Sequence, residues 1–250
     1  MNKKAQLMLW VILAIFLVAA MILFLYIDRK PTITTNQEFN PESYMDKCVR
    51  QYVDEVVEKM LPQGGFVNPE NTKTYNGINV TYLFQNKGNY LPCVNQHPML
   101  LNEMKSEIIN YIQPKIEKCF SDFKTEVEKR DGKVEYGITN MNLNFGPKRI
   151  YIFIDKKTTM AFGEETRNIP DYRIEIINPL YDLASVAIEI ASQEANYCYF
   201  EYVGYMILHP EFKITKFTFD DSTKVYTIED KSSSKKINIA VRGCAIPPGI

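Results

Sequence analysis

The sequence predicts an α+β protein: an N-terminal transmembrane helix, then one domain of amphipathic helices packed on antiparallel β-sheet. Three patterns predict it. Leu7 to Ile27 (LMLWVILAIFLVAAMILFLYI) is a run of 21 residues without a charge. Three later stretches carry apolar residues at helical spacing. Between and after them, apolar and polar residues alternate with period two, the signature of half-buried strands.

A helix of 21 residues is roughly 31 Å long, close to the hydrocarbon thickness of a bilayer. Such a helix satisfies its own backbone polar groups, as the lipid interior requires. A cleavable secretory signal would have a shorter apolar region ending at small residues. Here the run continues past Ala19 and Ala20 to Ile27. Lys3 and Lys4 precede the span, and Arg29 and Lys30 follow it, so local charge orients it only slightly. The mass of the chain decides: six residues lie before the span and 223 after it. The expectation is a single-pass protein of the cell membrane, N-terminus inside and main domain outside. The domains read as a basic tail (1–6), the transmembrane helix (7–27), a linker (28–39), an extracytoplasmic α+β domain (40–244) and a tail (245–250).

The segment after the anchor is long enough for a sizeable core. Its 46% apolar and 12% aromatic content describes a globular chain. Of 29 basic and 30 acidic residues, four and one fall before residue 31, leaving 25 and 29, a net charge of −4. Without a basic stripe, nucleic acid is excluded as a partner. The partners expected are the lipid bilayer, through residues 7–27, and protein or glycan at the cell surface.

Taking the chain in order, Pro31 stops the first helix and a Thr/Asn-rich linker follows. Asn40 and Pro41 read as an N-cap and first helical residue. Met45, Cys48, Val49, Tyr52, Val53, Val56 and Met60 then form an apolar stripe, closed by Pro62-Gln63-Gly64-Gly65. The double glycine reads as a left-handed chain reversal. Gly77 to Gln85 reads as a strand, and Asn86 to Pro98 as a loop holding Cys93 and His97. A helix from about Pro98 to Phe123 carries Leu101, Met104, Ile108, Ile112, Ile116 and Cys119, with Pro114 expected to kink or split it.

Period two sets in from about Glu126. Val134, Tyr136 and Ile138, then Leu143 and Phe145, 149–154, 158–162 and 173–177, predict an antiparallel meander of about four strands. Asn178-Pro179 starts a helix with Leu180, Leu183, Ala184, Ala187, Ile188 and Ala191 inward. A second helix is expected over Tyr197 to Leu208, its tyrosines (Tyr197, Tyr199, Tyr202, Tyr205) forming a packing face. Strands over 213–220, 224–230 and 235–241 finish the domain, joined by loops at Asp220-Asp221-Ser222 and Ser232-Ser233-Ser234.

The search for chemistry yields no catalytic residue, no cofactor motif and no metal site. His97 and His209 each precede a proline and read as turn positions. Glu164-Glu165 and Asp220-Asp221 are adjacent pairs in turns; neighbouring residues face opposite ways and make poor acid–base partners. Gly64-Gly65 lacks the Lys-Ser/Thr of a phosphate loop. None of the five cysteines forms a C-x-x-C pair, so they lack a zinc signature. In an exported domain they fit two disulfides and one odd thiol. The candidate half-cystines are Cys48, Cys119, Cys198 and Cys244, with connectivity open; Cys93, in its loop, also reads as a half-cystine in preference to a nucleophile. Asn79-Val80-Thr81 is a glycosylation sequon at Asn79.

Lys3-Lys4-Ala5-Gln6, directly before a long apolar helix, resembles the start of archaeal surface proteins with pilin-type (class III) signals. That resemblance implies leader cleavage between Ala5 and Gln6. The Cys-bearing helix ending in Gln63-Gly64-Gly65-Phe66, the helix ending in Cys119, the helix from Tyr181 through Ala195, and Tyr226-Thr-Ile-Glu-Asp-Lys before a last strand resemble uncharacterised single-pass membrane proteins of small-genome archaea. The resemblance implies an exported domain, a Cys48–Cys119 disulfide and no particular activity. The expected role is binding or envelope structure without enzymatic activity; the alternative is a type IV pilin-like filament subunit with a processed leader. Pilins usually carry glutamate where this chain has Trp10, and their first helix runs on where Pro31 interrupts this one.

Overall fold

A computed structural model describes residues 16–22, 40–86 and 93–242. The chain divides into two units, Met1–Asn40 and Pro41–Ile250. In the first, the described residues 16–22 form a helix (α1), with Phe16, Leu17, Val18, Met21 and Ile22 all exposed. Among the described residues no helix is long and apolar enough to cross a membrane. Most of Leu7–Ile27, the Ala5-Gln6 junction, Trp10, the linker 28–39, Cys244 and the tail 245–250 lie outside the described residues.

The second unit is α+β. Helix α2 (Pro41–Met60) has proline at its first position and buries Met45, Val49, Val53, Val56, Val57 and Met60. Helix α3 (Leu100–Glu128) buries Leu100, Met104, Ile108, Ile112, Ile116, Cys119, Phe120, Phe123 and Val127. Leu100, not Leu101, starts that stripe. Pro114 does not split the helix, which runs five residues beyond the expected Phe123. Proline removes one i→i−4 hydrogen bond, here to the carbonyl of Asn110. Both residues are exposed, so water can satisfy that carbonyl. The two stripes face each other, and a disulfide joins Cys48 to Cys119 (S–S 1.99 Å, Cα–Cα 6.2 Å).

The first sheet has the order β1-β2-β12-β11-β10, with β3 (Val94–Asn95) also paired to β2. Strand β1 (Thr72–Tyr75) was not expected; it forms a hairpin with β2 (Ile78–Gln85) through Asn76-Gly77, both at positive φ. Strands β10 (Phe212–Thr218), β11 (Thr223–Asp230) and β12 (Lys236–Arg242) are antiparallel neighbours as expected, and β12 lies parallel to β2. Helix α4 (Leu180–Tyr197) covers one face of this sheet. It turns Val186 and Ile190 inward and leaves Ile188 partly exposed. On another part of the sheet, Val80, Tyr82, Val225 and Ala240 form a second small core, with Tyr75, Ile78 and Phe219 packed on it. Lys73 closes that side, 2.8 Å from Asp221 and 4.2 Å above the Phe219 ring.

The meander of 132–177 has three long strands, not four, and each is broken near its middle. The pieces are β4 (Gly132–Tyr136) and β5 (Asn140–Gly146), β6 (Arg149–Asp155) and β7 (Thr158–Phe162), β8 (Glu165–Ile169) and β9 (Tyr172–Ile177). Pairing runs β4-β7-β8 and β5-β6-β9, so the middle strand is central on both sides of the break. The breaks fall at 137–139, 156–157 and 170–171, where Pro170 cannot donate to a ladder. Ile138 sits in the break and is 85% exposed. Lys156, at the same level, is 5% exposed; its ammonium lies 2.7 Å from Glu117 and 4.3 Å from the Phe120 ring centre. That pair draws the interrupted middle strand onto α3.

Two predictions follow from this packing. Replacing both Cys48 and Cys119 by alanine frees a loop spanning 71 residues in the unfolded chain, and chain entropy sets the loss at about 4 kcal/mol. A urea midpoint that does not move would remove the disulfide as a support. Separately, the hydrogen bond from Lys73, aided by the Thr223 backbone, lowers the Asp221 carboxyl to about 2. A carboxyl depressed in the folded state stabilises above its unfolded pKa, and the contribution is lost as pH falls through the folded one. Between pH 4 and 2 the native protein should lose stability that Asp221→Asn, lacking the group, does not lose; acid titration followed by circular dichroism reads this.

Candidate functional site

A polar concavity lies where α2 ends. Past Met60 the chain makes one 3-10 turn (Leu61–Gln63) and reverses through Gly64 and Gly65, at φ +84° and +101°. Left-handed backbone is one reason for glycine there; space is the other. A Cβ on Gly64 would stand 2.9 Å from Thr81 Cβ and 3.0 Å from the Asn238 carbonyl, and one on Gly65 would meet Met104 at 3.0 Å. The reversal expected from Gly64-Gly65 is thus observed, and it seats the next loop, Phe66–Asn71, against β2 and α3.

That loop lacks regular structure, but hydrogen bonds fix it. Gln63 Nε2 donates to the carbonyls of Lys59, Phe66 and Val67. The Val67 N–H donates to Glu107 Oε2 at 2.9 Å. Asn71 Nδ2 donates to Gln85 Oε1 at 2.8 Å, and the Tyr82 N–H to the Asn71 carbonyl. The opposite wall is the 95–97 turn. There the Gln96 N–H reaches the Leu83 carbonyl and the His97 N–H reaches Asn95 Oδ1.

Between the walls is a cavity of about 310 Å³, lined by Phe66, Asn68, Pro69, Glu70, Asn71, Thr81, Gln96, His97 and Glu107. His97 is more than a turn residue. Its Nδ1–H donates to Glu103 Oε2 at 2.6 Å, and its ring packs on Phe66 at 4.5 Å. Among the described residues, His97 Nε2 and the Asn68 and Glu70 side chains have no hydrogen-bond partner. Among the described residues, no lysine or arginine lines the cavity.

Other candidates fall elsewhere. Cys93 is a free thiol, not a half-cystine; its Sγ lies 3.7 Å from the Arg242 carbonyl. Burial, with the Glu194 charge second, raises its pKa to about 11. Cys198 is disulfide-bonded. Asn79 is exposed on β2, its side chain accepting from Thr74 Oγ1. His209 stacks on Tyr205. Glu164, Asp220 and Asp221 are exposed turn residues, Asp221 paired with Lys73, and Glu165 is exposed at the start of β8. The tyrosine cluster is a packing face only in part: Tyr202 and Tyr205 are half-buried, Tyr205 against Phe200 and His209, while Tyr197 and Tyr199 are exposed. Cys198 (φ 57°) ends α4, and the short helix α5 (Tyr202–Leu208) buries no residue, leaving Tyr197 75% exposed.

Among the described residues, no three or more His, Cys, Asp or Glu are placed to share a metal ion. Two ionised groups that the sequence did not single out are structural. One is Lys156, paired with Glu117. Glu194, 2% exposed, accepts from the Tyr226 hydroxyl and from Lys224, which also donates to the Cys198 carbonyl. Burial and the bond to Glu194 raise the Tyr226 hydroxyl pKa well above its ordinary value. Glu194 continues the stripe 180, 183, 187, 191 of α4, and a carboxylate on an apolar stripe was a readable sign of a buried partner.

No family model matches the chain, and neither a curated protein nor a solved structure gives a match.

Glu107 should matter to the site through the loop it holds. Glu107→Ala leaves the Val67 N–H, on a residue 6% exposed, without its acceptor, at a cost of about 1–3 kcal/mol. Glu107→Gln keeps an acceptor and should cost less, and Glu70→Gln should cost almost nothing. Urea denaturation of the three variants reads the order; equal effects would break the link.

Proposed function

We propose that the protein is a membrane-anchored, extracytoplasmic binding protein: a single-pass anchor over residues 7–27 carries a non-enzymatic domain outside the cell. The Cys48–Cys119 disulfide is the observation that carries this reading, because disulfides persist in oxidising compartments. The uncharged run Leu7–Ile27 supports the anchor, as do the exposed apolar side chains of α1. Binding suits the cavity better than catalysis does. Glu107 is committed to the Val67 N–H and Glu103 to His97, an arrangement that holds a shape in preference to moving protons.

The Ala5-Gln6 junction favours a second reading, a pilin-like filament subunit with its leader removed. Trp10 and Pro31 weigh against it. Sequencing the mature N-terminus separates the two: Gln6 at the start favours the filament, and Met1 the simple anchor.

The location reading has its own test. Protease added to intact spheroplasts should remove the domain without lysis. Iodoacetamide mapping under denaturing, non-reducing conditions should leave Cys48 and Cys119 unlabelled. In the folded protein Cys93 should label slowly at pH 7 and faster as pH rises toward its pKa of about 11. Protease resistance together with labelled Cys48 would sink an outside domain.

A further inference from the structure

We propose that the cavity between Phe66 and His97 binds a neutral, hydroxyl-rich ligand, a single sugar ring presented by a glycan. The inference rests on reading the domain as a binding protein and names the class of ligand.

Size is the first constraint. A cavity of about 310 Å³ lies at the small end of ligand sites, which run from roughly 300 to 1,000 Å³. Preorganisation is the second. The Phe66–Asn71 loop is already held by Gln63, Glu107 and Gln85, so little ordering remains to oppose binding.

The chemistry of the lining selects among ligands. An apolar ligand would bury the unpartnered Asn68, Glu70 and His97 Nε2, each at a desolvation cost. An anion would meet Glu70 and Glu107 with no lysine or arginine among the described lining residues to offset them. A cation is favoured by charge, but two of the three nearby carboxylates are already engaged, Glu103 by His97 and Glu107 by Val67. What remains is mostly neutral: the Asn68 amide, able to donate and accept; His97 Nε2, an acceptor while Nδ1 carries the proton; and Glu70, an acceptor. Adjacent hydroxyls are the ligand groups that can both donate and accept at such a set. The Phe66 ring, braced at 4.5 Å by His97, offers an apolar face to the C–H side of a sugar.

The test uses the full chain in phosphatidylcholine nanodiscs, which contain no sugar. Saturation-transfer NMR is recorded with D-glucose, D-galactose, D-mannose and N-acetylglucosamine in turn, and with n-butylammonium. Empty nanodiscs are the blank. The expected result is a saturable signal from at least one sugar. It should weaken fivefold or more in Asn68→Ala and Phe66→Ala, and stay unchanged in Tyr199→Ala. Asn68 is exposed, so that variant keeps the test valid if Phe66→Ala fails to fold. Silence from all four sugars, a signal indifferent to Asn68→Ala, or saturation by n-butylammonium alone would each overturn the proposal. The readout does not depend on which side of the membrane the domain faces. A failed protease test with intact sugar binding removes the location and leaves the site; the reverse removes only the sugar.

Discussion

The domain depends on the contact between α2 and α3. Each helix presents a nearly unbroken apolar stripe, and Cys48–Cys119 ties the first turns of one to the later turns of the other. The rest of the unit is placed by this pair. The broken meander packs on it through β4, β5 and β9. The end of α2 delivers Gly64 to the first sheet, where a side chain would collide with Thr81 and Asn238. The first sheet and the meander share no strand, so these helices, with α4, carry the connection between them. A cross-link on the central helix pair therefore constrains more of the structure than one between surface loops would.

Helices were legible because burial repeats along them. The stripes of α2, α3 and α4 were readable almost residue by residue, and the errors were local. Leu100, not Leu101, leads the α3 stripe, and Ile188 stands at the exposed edge of the α4 stripe. Pro114 leaves α3 whole because a proline on the solvent side of a long packed helix loses one hydrogen bond that water can replace, whereas the stripe from Ile108 to Ile116 continues through it. The strands show the opposite limit. Alternation tells which face a residue takes, not which strand it pairs with. The three aligned breaks of the meander hold Pro170, Gly137, whose N–H donates to the Lys157 carbonyl, and Lys156, whose ion pair lies 39 residues away in sequence.

The candidate site was hardly legible, for a related reason. Its lining comes from the reversal after α2, from β2, from the 95–97 turn and from the first turns of α3. His97 and Gly64-Gly65 were noticed, each with a local explanation that holds. Their cooperation was not, because it depends on Glu103 and Glu107, two exposed-looking carboxylates of an amphipathic helix. Glu103 meets His97 just before its own helix, and only the fold brings Glu107 to a loop 40 residues earlier. The Asn76-Gly77 hairpin, by contrast, was readable and was missed: Asn-Gly between apolar-alternating runs is a strong short-range hairpin signal.

Polar groups in this domain fall into two populations, and the difference separates structure from site. Glu194, Lys156 and Asp230 are deeply buried, and each has strong partners: a tyrosine and a lysine, a glutamate and two rings, and a cluster of serines. Unpaired, any of them would be costly, so their pairing needs no ligand to explain it. The groups around Phe66 and His97 are arranged the other way. The loop and turn that carry them are tied at Phe66, Val67, Asn71, Gln96 and His97, while the ends of Asn68 and Glu70 and one imidazole nitrogen are left open. A surface selected only for stability has no need to fix the frame of a loop whose side chains do nothing. Fixed backbone under free polar side chains is the arrangement that lowers the entropic cost of capturing a small polar ligand. That contrast, more than the cavity's volume, is why this corner of the domain is the one to test.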